Sequence, residues 1–349
     1  MDSISEMRKK IIAGLFPAGV PRLWCPLLTH YRDDGSIDFD RMSSHFSHIA
    51  PAVKGYLVPG STGDGWVLDD KQTLDVSDFA VRQAQKYGIH LLLGVLKSET
   101  EIMIRTISDI LGVDVRKQSP DEVTRILKDK HICGFTVCPP AGKTLTQSEI
   151  TAGLSAILDL GLPTALYQLP QVTENEMEPA TFAGLGQRYA NVILFKDSSG
   201  QDRIALSDLD KEGIFMVRGA EGDYAKWLKD VTGPYDGFLL STANCFAREL
   251  NTLIERLESG DREAAGEISD RLTTAVNAVF ALVEPLTYGN PFTNANKAID
   301  HFFAFGPDAI AAYGPMLHGK VRLPADIIGA TGDILVQCRL MPGKGYLEG

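Results

Sequence analysis

Eight short apolar runs, at residues 23–28, 55–59, 90–94, 134–138, 164–169, 192–196, 214–218 and 237–240, read as β-strands. Most are followed by Gly, Pro, Ser, Thr or Asp before a helical period begins. Amphipathic helical patterns lie at 39–49, 69–86, 99–111, 147–160, 179–189 and 245–258, and Thr146 with Glu149 has the form of a capping box. The strand runs are apolar throughout rather than alternating, which suits a parallel sheet covered on both faces. Eight strand–helix repeats predict an α/β fold, a TIM (β/α)8 barrel with additional C-terminal helices; a doubly wound open sheet is the competing arrangement. The chain divides accordingly into an N-terminal extension (1–20), a barrel catalytic domain (21–258) and a C-terminal helical extension (259–349) in which 262–305 reads as two helices. Residues 112–130 lengthen the connection before the fourth strand and, being charged, read as a surface insertion.

Composition narrows the function classes. A chain of 349 residues with 44% hydrophobic and 23% charged residues can bury a large core, and barrels of this length form one unit. The net charge of −11 would repel nucleic-acid phosphates and anionic membranes, so neither is an expected partner. Five scattered cysteines, Cys25, Cys133, Cys138, Cys245 and Cys338, lack metal or redox spacing and read as reduced thiols, with Cys133 and Cys138 as apolar packing residues. Residues 11–20 follow a basic triplet in the manner of a leader, but Asp2, Glu6 and Pro17 spoil it, and no run is long enough to span a membrane. The expected location is cytoplasmic. His45 and His48 stand one helical turn apart without an acidic partner and read as a surface helix, so no metal is implied, and no organic cofactor either.

Three features carry chemistry. Lys196 ends the sixth strand run, the end at which barrels do their chemistry. An ordinary lysine is neutral in only about one molecule in two thousand at pH 7, so a nucleophilic one needs desolvation, which apolar neighbours supply. Without that it would simply leave the sheet for water. Tyr167 ends the fifth run, one repeat away, where a phenol can hold a substrate oxygen and move protons; alternatively it is a half-buried aromatic. After the second run, Gly60-Ser61-Thr62-Gly63-Asp64-Gly65 can turn amides and hydroxyls toward an anionic oxygen, though a plain strand-to-helix turn could look the same. Together these groups suit a 2-oxo acid, with the loop on the carboxylate and the amine at the ketone.

The sequence resembles the dihydrodipicolinate synthase and N-acetylneuraminate lyase family of Schiff-base class I aldolases from about residue 21 to about residue 306. The likeness lies in Gly60-Ser61-Thr62-Gly63-Asp64, in Leu166-Tyr167-Gln168-Leu169-Pro170, in Phe195-Lys196-Asp197-Ser198-Ser199-Gly200 and in Asn290-Pro291. The resemblance implies an imine-forming Lys196, a proton-shuttling Tyr167, carboxylate binding at Ser61 and Thr62, and a homo-oligomer, tetramer or dimer; in the expected chemistry Ser61 relays the protons and Gly60 is a further substrate-binding candidate. It also has departures. After the fourth strand stand Cys138-Pro139-Pro140-Ala141, where dihydrodipicolinate synthases carry a tyrosine pair, and Gln171-Val172 follow the tyrosine motif where they carry an arginine. Ser61 and Ser241-Thr242-Ala243-Asn244 look more like the sialate lyase branch, which uses acidic residues after strand seven for sugar hydroxyls. Here Gly219-Ala220-Glu221-Gly222 keeps one acid.

The expected activity is therefore a lyase acting on pyruvate or a longer, hydroxylated 2-oxo acid. Gly219, Ser241 and Arg218 or Glu221 would meet its distal part, unless the last two are solvated rim residues. A 2-keto-3-deoxy sugar acid dehydratase using the same imine and a dihydrodipicolinate synthase are the nearest alternatives. A phosphate-binding barrel without a covalent lysine and a non-catalytic barrel are the more distant ones.

Overall fold

Eight parallel strands close on themselves in sequence order: β1 (Leu23–Pro26), β2 (Gly55–Val58), β3 (His90–Val95), β4 (Ile132–Val137), β5 (Thr164–Gln168), β6 (Val192–Asp197), β7 (Phe215–Arg218) and β8 (Gly237–Leu239), which pairs back with β1. The computed structural model, which describes residues 2–348, is thus a barrel and not an open sheet. Strand bounds fall within two residues of those expected, and the Thr146–Glu149 capping box is formed.

Side chains alternate across each strand, so residues two apart share a face. Trp24, Leu57, Leu92, Ala165, Leu194, Val217 and Leu239 pack together inside the barrel, closed below by Phe16. The alternate set, including Tyr56, Leu91, Leu93, Leu166 and Phe195, packs outward beneath the helices. Gly55 is needed here, because a Cβ would lie 2.2 Å from the Trp24 ring. Two residues beyond the inward Ala165, Leu194, Val217 and Leu239 stand Tyr167, Lys196, Gly219 and Ser241. The same alternation that fills the barrel therefore aims these four positions at its C-terminal mouth.

Among the described residues, three helices of ten residues or more lie outside the expected set. Ile4–Leu15 seals the barrel floor, and its fully buried Arg8 donates to the carbonyls of Val192 (2.7 Å), Tyr189 (2.8 Å), Gly186 and Glu212. Pro120–Asp129 occupies the charged insertion, with Val123 and Leu127 turned inward. Beyond the barrel, helices Arg262–Val283 and Pro291–Phe305 are joined by Ala325–Gln337. No helix among the described residues is long and apolar enough to cross a membrane.

His45 corrects the sequence expectation of a surface helix. It is fully buried, and an acidic neighbour does exist: Asp300, whose Oδ1 lies 3.7 Å from His45 Nε2. His30 Nε2 and His45 Nδ1 are 3.1 Å apart, and His45 Nε2 reaches the Asn244 carbonyl at 2.7 Å. Asp300 accepts from Arg41 (2.7 Å) and from the Tyr346 hydroxyl (2.9 Å). Arg41 and the two imidazoles hold the Asp300 carboxyl well below the usual range against the opposing effect of burial, while burial lowers both histidines. The ligand-type atoms of His30, His45 and Asp300 do converge, yet hydrogen bonds already occupy them and Arg41 already neutralises the acid. The cluster ties the helix Phe39–Ile49 to the C-terminal segment.

Candidate active site

Register sets the centre of the site. Tyr167 on β5 and Lys196 on β6 are direct Cα partners, so both side chains enter the mouth side by side. The Lys196 Nζ sits 4.0 Å above the centre of the Tyr167 ring. Both residues are buried, and Lys196 makes no salt bridge among the described residues. Burial with no adjoining carboxylate pulls the amine from 10.5 down to about 7, against a weaker opposing pull from Cys138, Glu221 and Cys25. Burial also raises the Tyr167 phenol, which therefore stays protonated at neutral pH. Gly219 is the space that makes this possible, since a Cβ there would lie 2.7 Å from Lys196 Cε and 2.1 Å from Ser198 Oγ.

The glycine-rich loop folds into a single 3-10 turn, Ser61–Gly63, whose first amides have no acceptor within the turn. Gly60 and Gly63 fit tightly: a Cβ would stand 2.7 Å from Pro26 Cβ at the first and 2.3 Å from the Leu27 carbonyl oxygen at the second. Ser61 Oγ lies 3.5 Å from the Tyr167 hydroxyl and accepts from Trp66 Nε1 at 2.8 Å. Thr62 is buried, with its carbonyl accepting from Thr293 Oγ1 at 2.9 Å. Asp64 takes donors from Tyr31 (3.0 Å) and Thr293 (3.2 Å), and the Lys297 amine is 3.8 Å away. Asn290 donates to the Ser61 carbonyl at 3.2 Å, so the Asn-Pro signature braces the loop.

A pocket of about 830 Å³ opens above these groups, and Ser61, Ser198 and Glu221 reach it directly. Lys196, Tyr167, Thr62, Gly60, Gly219 and Ser241 are not among its lining residues. Glu221 is neither on a solvated rim nor free. Its Oε1 accepts from Ser241 Oγ (2.6 Å) and the Thr242 amide (3.1 Å), and its Oε2 from Thr242 Oγ1 (2.7 Å) and the Tyr224 hydroxyl (2.8 Å).

Arg218 departs furthest from its expected role. Its guanidinium is buried, paired with Asp202 at 3.0 Å, donating to the carbonyls of Ala220 and Gly222, and stacked 3.9 Å over Trp227. None of its capacity faces the pocket. Reasoning from sequence also passed over Trp66, Ser198, Phe280 and Phe292 as lining residues. Ser198 was discoverable from its place two residues after Lys196, whereas Phe280 and Phe292 lie on helices outside the strand–helix repeat and carry no local signal.

Comparison with known proteins bears on the fold and the family. Residues 122–288 match the Dihydrodipicolinate synthetase family. The 4-hydroxy-tetrahydrodipicolinate synthase of Methanospirillum hungatei is 24% identical over 278 residues, covering 78% of this chain and 86% of that protein. The enzyme of the same name from Agrobacterium fabrum is 24% identical over 281 residues, covering 80% and 87%. Among solved structures, YagE, an Escherichia coli K12 prophage protein of the dihydrodipicolinic acid synthase family in complex with pyruvate, superposes with a TM-score of 0.72 at 16% identity, covering 92% of this chain and 99% of that one. Dihydrodipicolinate synthase from Bacteroides thetaiotaomicron gives 0.72 at 17% identity, covering 91% and 98%. The chain therefore shares the barrel fold of these structures, and from residue 122 to residue 288 it is similar to the dihydrodipicolinate synthetase family.

Proposed function

We propose that Lys196 attacks the ketone carbon of pyruvate, or of a 4-hydroxy-2-oxo acid, and holds it as an imine while the bond between carbons 3 and 4 is made or broken. The observation that carries this reading is a buried strand-end amine, lowered to about 7 and with no carboxylate within salt-bridge distance among the described residues, beside a protonated phenol. Nitrogen bonds to the ketone carbon and the carbonyl oxygen leaves as water. The resulting cationic imine draws electrons from carbon 3, which loses a proton to give an enamine. Attack on an aldehyde forms the carbon–carbon bond, the new alkoxide takes a proton, and water hydrolyses the imine to free the amine. The proton lost from carbon 3 balances the one gained by the alkoxide, so one phenol can carry both transfers, relayed through Ser61 at 3.5 Å.

The Ser61–Gly63 turn would seat the carboxylate, with Thr62 and Gly60 shaping it. Ser241 would act by orienting Glu221, and Gly219 by leaving room for Lys196. Arg218 has no part in the proposal because its donors are engaged elsewhere. We further propose a cytoplasmic homo-oligomer acting on a small 2-oxo acid; five unpaired cysteines fit a reducing compartment. Supplying 4-hydroxy-2-oxo acids and following released pyruvate tests the reading. Pyruvate and an aldehyde in equal amounts support an aldolase. Loss of water without cleavage would instead indicate the dehydratase that shares the imine.

A further inference from the structure

Resting on the imine chemistry proposed above, we infer that Trp66 is a positioning residue: its indole N–H fixes Ser61 as the hydroxyl that donates to the Tyr167 oxygen once the phenol has given up its proton. The geometry is one chain of contacts. Trp66 Nε1 donates to Ser61 Oγ at 2.8 Å, and Ser61 Oγ stands 3.5 Å from the Tyr167 hydroxyl. A serine hydroxyl has one proton and two lone pairs, whereas an indole nitrogen only donates. Trp66 therefore occupies a lone pair and leaves the serine proton free. Among the described residues, Tyr167 is the other side-chain partner of Ser61 Oγ. The 3.5 Å separation is long for a hydroxyl pair, as catalytic contacts are before substrate tightens them.

The loop that carries Ser61 also holds Trp66 in place. Asp64 takes a left-handed φ of 63°, and the amides of Val67 and Leu68 both return to its carbonyl, at 2.9 and 3.1 Å. Gly65 passes close to the start of the loop, where a Cβ would lie 2.9 Å from the Gly60 carbonyl oxygen. The indole ring then packs with Leu96, Cys138, Tyr167 and Leu169. The balance of the first step calls for a phenolate in these surroundings. A neutral amine and a ketone give a cationic imine and hydroxide, and Tyr167 supplies the proton that turns the hydroxide into water. The phenolate then takes the proton from carbon 3, which leaves the enamine beside a restored phenol. Burial and Cys138 oppose that ionisation, and the Ser61 and Ser198 hydroxyls favour it. Donors in a row polarise one another, so the indole strengthens the Ser61 bond while the charge sits on Tyr167.

Deuterium entering the methyl group of pyruvate in heavy water, followed by proton NMR, reads the carbon 3 step and needs no second reactant. Trp66→Phe keeps an aromatic ring and removes the N–H. It should lower the maximal exchange rate about tenfold, with half-saturating pyruvate changed by less than about twofold and the borohydride adduct on Lys196 undiminished. Made within Ser61→Ala, the same change should cost less than about twofold more, because the bond it removes is already gone. Benzothienylalanine at position 66, with sulfur in place of the N–H, should repeat the loss and serves where the phenylalanine variant folds poorly. An unchanged exchange rate, or an equal loss in both backgrounds, makes Trp66 a packing residue and overturns the inference, while the adduct on Lys196 leaves the imine reading standing. Absence of both adduct and exchange in the unaltered chain removes the imine reading, and the inference with it.

Discussion

Two lysines are buried among the described residues, Lys196 and Lys297, and their surroundings differ in one decisive respect. Lys297 has partners: Asp64 Oδ2 at 3.8 Å, the Met316 carbonyl at 3.1 Å and the Tyr31 ring at 4.3 Å. Burial lowers it to about 8 while Asp64 and Asp300 pull it back, so at neutral pH it is mostly a cation. Lys196 rests on the face of Tyr167, with no carboxylate in contact, and falls to about 7. Burial lowers both amines; what separates them is that Lys297 has a carboxylate within salt-bridge distance and Lys196 has none among the described residues. Lys297 clips Asp64 and so steadies the Ser61–Gly63 turn, whereas Lys196 is left free to react.

The comparison breaks most directly at the reacting amine. Lys196→Arg keeps a cation but offers no neutral nucleophile, and kcat/KM for pyruvate release should fall by about 10⁴-fold or more. Lys297→Met should act on stability instead. It leaves Asp64 without its cation, costing about 3 kcal/mol in a denaturant titration, while the folded fraction still captures pyruvate. Tyr167→Phe removes the proton shuttle and should lower kcat by about 100-fold, with the pyruvate adduct still forming. Ionisation gives the smallest effect. Because the amine is lowered to about 7, its neutral fraction rises with pH: imine formation should increase about tenfold from pH 6 to pH 8 and level off above. A rise that continues toward pH 10 would mean an ordinary, solvated lysine.

Much of this organisation was legible because it is local. The strand runs and the glycine, serine and proline turns after them set the barrel, and a period of two from Ala165 and Leu194 points Tyr167 and Lys196 into its mouth. What was not legible depends on partners far apart in sequence. His45 reads as surface on its own helix, and only Asn244 and Asp300, brought in from beyond β8 and from the helix Pro291–Phe305, make it interior. Arg8 looks like part of a basic leader until the carbonyls near the start of β6 converge on it. Arg218 and Glu221 were placed at the site by their position after β7. Their saturation by Asp202, Ser241, Thr242 and Tyr224 is a property of folded loops that no spacing records.

The central claim is that Lys196, and not Lys297, is the imine-forming amine. Borohydride reduction in the presence of pyruvate, followed by peptide mass mapping, tests it. The account predicts one permanent pyruvate-derived adduct per chain, on the peptide bearing Lys196. An unmodified Lys196, or an adduct on Lys297 or elsewhere, would contradict it.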